Sequence, residues 1–143
     1  MIDLDFIGNL SLALQIIILF LLVIGLPFVR RKKNNKNLII HGYLTVLALL
    51  LHTFLIILVM IPTFSDGLSA FGDLSLLNAI TVWSHAILGT AAEILGVIII
   101  TYWLAKKPSK MACARLKKWM LPTLIIWVVS IINGALIHIL GLL

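Results

Sequence analysis

The chain has 143 residues, 62% of them hydrophobic and only 11% charged, with a mean hydropathy of +1.20. A soluble domain of this size cannot carry so much apolar surface without aggregating, which excludes one. The formal charge of +6 calls for no nucleic acid, because topology and contact with anionic lipid headgroups account for it.

Four long apolar stretches follow one another, at about 7–29, 38–61, 76–104 and 119–143. Each reaches the roughly 20 residues that cross a hydrocarbon core of ~30 Å. Backbone groups in lipid must bond internally, so the stretches are expected as helices. The expected architecture is all-α: one integral-membrane four-helix bundle, up-down-up-down, filling residues 1–143. The first stretch follows Asp3 and Asp5 and precedes Arg30, Arg31, Lys32 and Lys33. That is a stop-transfer flank, and a cleaved signal would have its basic residues in front. Pro62 is expected to end the second helix, and Pro122 to sit in the first turn of the fourth. Between helices 2 and 3, Phe64, Leu68 and Phe71 suit a short interfacial segment. Trp103 and Trp119 suit an aromatic belt.

All eleven basic residues fall in two connections, 30–37 and 105–118. The positive-inside rule makes both cytoplasmic and both termini external, in a multi-pass protein of the plasma membrane. Cys113, the single cysteine, lies in the second basic connection and has no intrachain disulfide partner.

The chemistry is concentrated in four histidines and one acid. His41 and His52 are eleven residues apart on one helix, so they share a face, about 16 Å apart in depth. His52 and His85 each lie about nine residues from the expected outer helix ends, which would make them level. His138 lies slightly further out. Three histidines on three helices thus converge on the outer half, and His41 stands alone on the inner side. Gly89, Ala92 and Gly96 follow His85 on its face, and Gly134 lies one turn from His138. A flat macrocycle needs such room, and a membrane b-type haem takes axial nitrogens from facing helices. The same small residues also serve plain helix packing. Glu93 is the single carboxylate within a span, a candidate for proton transfer, a quinone hydrogen bond or a salt bridge to a partner subunit. The alternative for Glu93 is a neutral acid bonded to Thr90, Ser130 or Asn133. No phosphate loop, cysteine cluster, HExxH or nucleophile elbow occurs.

The order IIHGYLTVLALLL, then VWSHAILGTAAEILGVIIITYWLAKK, then IIWVVSIINGALIHIL resembles the small four-helix CtaM/YozB-type membrane family. The resemblance covers nearly the whole chain and implies a role in maturation of haem-copper oxidases. His41 and His85 stand at the family's histidine positions. Gly42 and Thr45 replace the arginine and methionine usual there, and the last basic connection lacks a histidine. The HAILG stretch with a later acid is also similar to transmembrane ascorbate-reducible b-type cytochromes, which hold two haems between paired histidines. The inner pair is incomplete here, so one haem b on the outer side is expected. His85 is then the leading iron ligand, with His52 or His138 opposite, and His41, Gly89 and Gly96 around them. The expected function is electron transfer or haem handling for a respiratory oxidase. The competing expectation is an accessory or assembly subunit without stable haem, packed on oxidase subunits or on its own copy. A weaker third is a proton- or metal-linked transporter using Glu93.

Overall fold

The computed structural model describes residues 4–30, 35–67, 75–106 and 110–140. It is an all-α four-helix bundle. Helix α1 spans Leu4–Arg30, and α2 spans Asn35–Leu55. A π turn, Ile56–Met60, leads without a break into α3, Ile61–Gly67. Helices α4, Leu76–Ala105, and α5, Lys110–Ile139, complete the chain. Four segments are long and apolar enough to cross a membrane, among them Lys36–Thr63 through the π turn and Leu76–Ala105.

The bundle is apolar on its outside as well as in its core, and a few polar residues of the spans are turned inward. Phe20, Leu50, Ile87, Ile98 and Leu121 are exposed, while Gln15, His52, Thr123 and Ser130 are buried. An exposed apolar coat of this extent is stable only against lipid. The core gathers Ile18 and Leu22 of α1, Ala48, Leu49 and Leu55 of α2, Ala92 and Ile100 of α4, and Trp127 and Ile131 of α5. Helix α1 packs most extensively on α2, and α4 on α5. The two hairpins meet where α1 lies on α5 and α2 on α4.

Several local expectations are corrected. Pro62 does not end the second helix, because the chain continues helically to Gly67. A proline ring collides with the carbonyl four residues back and donates no hydrogen bond. The preceding π turn, in which the Ile61 N–H reaches back to the Ile56 carbonyl, widens the backbone just where that collision would fall. Pro122 lies inside α5, twelve residues past Lys110, since the basic stretch 110–118 is itself helical. Next to it the Thr123 hydroxyl donates to the Trp119 carbonyl at 2.8 Å, the local repair expected of a membrane helix. Trp103 is not a belt residue: it is 2% exposed and fills a slot opened by Gly42. Trp119 stays exposed, with the Lys118 ammonium 5.7 Å from its ring centroid. The expected interfacial segment lies outside the described residues at Leu68 and Phe71. Cys113 lies on α5, its side chain outside those described.

Candidate functional site

The histidines do not converge as level partners. Fifteen residues separate His52 from Gly67, and seventeen separate Glu93 from Leu76. His85 is only nine residues from Leu76. Because the second helix runs on through Pro62, His52 lies deeper than its spacing from residue 61 suggests, at the level of Glu93. Its Nδ1 stands 2.7 Å from Glu93 Oε2. The Thr53 hydroxyl stands 2.5 Å from Glu93 Oε1 and 2.9 Å from the Leu49 carbonyl. The His52 ring packs edge-on against Trp127, centroids 5.1 Å apart. Thus Glu93 takes its partners from α2, and Ser130 and Asn133 are used elsewhere.

His85 is held by α5. Its Nδ1 lies 2.8 Å from the Ser130 carbonyl oxygen. A carbonyl only accepts, so Nδ1 carries the ring hydrogen and Nε2 the lone pair. The Ser130 hydroxyl donates in return to the His85 carbonyl at 3.3 Å. One turn along, Asn133 donates to the Ser84 hydroxyl at 3.0 Å. These bonds fix the face of α4 that carries His85. Gly134 gives the ring its place: a Cβ there would meet His85 Cε1 at 2.8 Å and Gln15 Oε1 at 2.7 Å.

His85 lines a cavity of about 790 Å³, within the usual range of cofactor and ligand sites. Its walls come from α1 (Gly8, Gln15), the π turn and α3 (Met60, Ile61), α4 (Ala86, Gly89) and α5 (Gly134, His138). The lining is apolar apart from His85, His138, Gln15 and a few hydroxyls. His138 rests on Gly8, where a Cβ would stand 3.0 Å from its Nδ1. His52 and Glu93 are not on this wall. Gly96 is not either, since it receives Leu49 and Trp127. Gly89 lies on the wall and backs onto the Ser130 hydroxyl.

His41 sits at the other end of the bundle. Its Nδ1 donates to the Gly25 carbonyl at 3.1 Å, tying α2 to α1. It borders a void with room for about one water, beside Trp103 and Met120.

The structure therefore brings His85 and His138 to one cavity, joins His52 to Glu93, and leaves His41 apart. Thr53, Gln15 and the Ser130 carbonyl are the participants that sequence reasoning missed. The pairing of His52 with Glu93 did have a usable signal: a midspan histidine and a single midspan acid are each other's cheapest partners. No family model, curated protein or solved structure matches the chain.

Proposed function

We propose that this chain is a multi-pass membrane protein that binds a b-type haem in the cavity beside His85. Its role would be electron transfer or haem handling for a respiratory haem-copper oxidase. The observation that carries the reading is His85 itself. Its hydrogen is committed to the Ser130 carbonyl, which leaves a lone pair on Nε2 at the wall of a large apolar cavity. Metal-ligating histidines are held in this way, with the far nitrogen tied to a carbonyl or carboxylate.

The residues present fit the group. Gly8, Gly89, Gly134 and Ala86 keep the wall thin, and His138 stands on the same wall as the second ligand. His52 is set aside, because it faces Glu93 and Trp127 instead of the cavity. When bound, haem would supply a one-electron couple, and two histidine ligands leave its iron no open position for oxygen. The chain's own part is to orient the imidazole through Ser130 and to exclude water with an apolar lining. Every basic residue lies in the connections at the His41 end, so that end faces the cytoplasm of a plasma-membrane protein and the cavity lies in the outer half.

The test is an optical spectrum of the detergent-purified protein, oxidised and dithionite-reduced. A low-spin bis-histidine spectrum is expected, lost in His85→Ala, weakened or turned high-spin in His138→Ala, and kept in His52→Ala. Full haem occupancy in His85→Ala would overturn the assignment. A featureless wild-type spectrum, from cells with ample haem, would hand the reading to an accessory or assembly subunit without haem.

A further inference from the structure

The cavity beside His85 reaches the flank of the bundle. Helix α2 packs on α4, but among the described residues neither the π turn nor α3 packs extensively on α4. The outer end of the second span therefore stands off from α4, whose wall is thin there, with Ala86, Gly89 and Ala91. The rim belongs to two surfaces at once. Ile61, Ile87 and Ile94 line the cavity, and they are also 57%, 62% and 55% exposed, on the coat that faces lipid. A groove with such a rim opens sideways, into the bilayer. Its α4 wall runs from Val82 to Ile94, about 18 Å at the rise of a helix. That is close to one leaflet's share, ~15 Å, of a hydrocarbon core of ~30 Å. Polarity changes along the groove. At its outer end stand His138, next to the last residue of α5, and Ser65, near the last residue of α3. Towards midspan the wall is chiefly Ile56, Ile87, Ala91 and Ile94, with His85, Gln15 and Thr90 its polar members.

We propose that this groove is a lipid-binding site: it takes one acyl chain of an outer-leaflet phospholipid, with the headgroup at the His138 and Ser65 end. The opening decides the phase that supplies the occupant, because a space open to hydrocarbon at midspan exchanges with hydrocarbon. Water is a poor occupant of so apolar a lining, which returns few of the hydrogen bonds that water gives up. The length of the groove matches a chain lying in one leaflet, and its polar outer end matches the ester and headgroup that such a chain carries. The site shares the cavity with the proposed haem but does not rest on that reading. Haem and chain would compete for the wall at Ala86 and Gly89, and both would pass through the gap between α3 and α4.

Native mass spectrometry tests this on the full chain, released from mild detergent after incubation with phospholipids of defined chain length. Wild type should keep one long-chain phospholipid per chain. It should prefer that lipid about tenfold or more over one with the same headgroup and short chains, since a few methylenes on the wall suffice for such a factor. Ala86→Phe and Ala91→Phe each put a ring into the groove and should lower the affinity about tenfold. Ile98→Phe, on an exposed residue of α4 off the groove, should keep it. Circular dichroism checks that each variant is folded, and the chain-length comparison needs no variant. A bare wild-type chain, equal affinity for long and short chains, or lipid retention unchanged in both groove variants would overturn the proposal. So would a second copy of the chain, or a molecule without an acyl chain, retained in place of the lipid. The protein is made without added haem, so a failed haem spectrum leaves this result standing, and a failed lipid result leaves the spectrum standing.

Discussion

Replacing Gly42 by alanine sets two effects against each other. In a helix interior alanine is favoured over glycine by about 1 kcal/mol. Against that, a Cβ at this position would lie 2.3 Å from the Cη2 and Cζ2 atoms of the Trp103 ring and 2.9 Å from its Cε2. The ring has little freedom to yield. Trp103 is 2% exposed and buried with Leu38, Ile99 and Leu116, and Tyr43 packs edge-on at 6.0 Å between centroids. Overpacking of a well-filled core costs about 1–3 kcal/mol, and an overlap this deep belongs at the upper end. The net expectation is destabilisation of about 2 kcal/mol, roughly a 30-fold fall in the folding constant. Reversible unfolding in mixed detergent micelles, followed by tryptophan emission, measures it. Gly89→Ala is the control: its Cβ would meet only the Ser130 hydroxyl, at 3.1 Å, so helix propensity should leave it near neutral. In a Trp103→Phe background the cost of Gly42→Ala should fall by more than about 0.5 kcal/mol, the coupling expected of residues in contact. A Gly42→Ala variant as stable as wild type, or no worse than Gly89→Ala, would refute the reasoning.

Gly134→Ala should weaken haem retention with little loss of fold, because its Cβ displaces the His85 ring from Ser130; haem titration of the detergent-solubilised variant checks this. Gln15→Leu should be neutral or stabilising by about 1 kcal/mol, since Gln15 Oε1 is buried without a hydrogen-bond partner and its removal relieves a desolvated acceptor; the unfolding assay above measures it. Deleting Ile57, an exposed residue of the π turn, should restore regular helix and turn everything beyond it by about 100°. Val59, Met60 and Ile61 would leave the cavity wall, so haem affinity should fall, as haem titration of the solubilised variant reads.

The four spans were legible because each is a long apolar run of a length that suits a membrane-crossing helix. What the sequence hid were the ends. Proline at position 62 reads as a stop unless the π turn before it is known, and that turn lies among the featureless residues IILVM. The error of one and a half turns carried through to the site, where it made His52 level with His85 instead of Glu93. The stretch 110–118 reads as a loop by charge, yet its backbone is helical, with Arg115, Lys117 and Lys118 exposed. Rotational setting was the other hidden quantity. Gly42, Gly8 and Gly25 look like neutral helix residues, but each receives a ring from across the bundle: Trp103, His138 and His41. Such slots depend on which helices are neighbours, which spacing along one strand of sequence does not encode.

The uneven packing of the helices bears on how the molecule is put together. Helices α1 and α2 are one closely packed pair and α4 and α5 another, each with its own basic connection. Helical hairpins of this kind can each enter a bilayer alone and join afterwards. The joint between them is then the shared apolar core with the His52–Glu93 pair set across it. A chain severed between Gly67 and Ser75 should therefore reassemble from its two halves when both are made in one cell. With glutamine in place of Glu93, a tag on one half should recover less of the other.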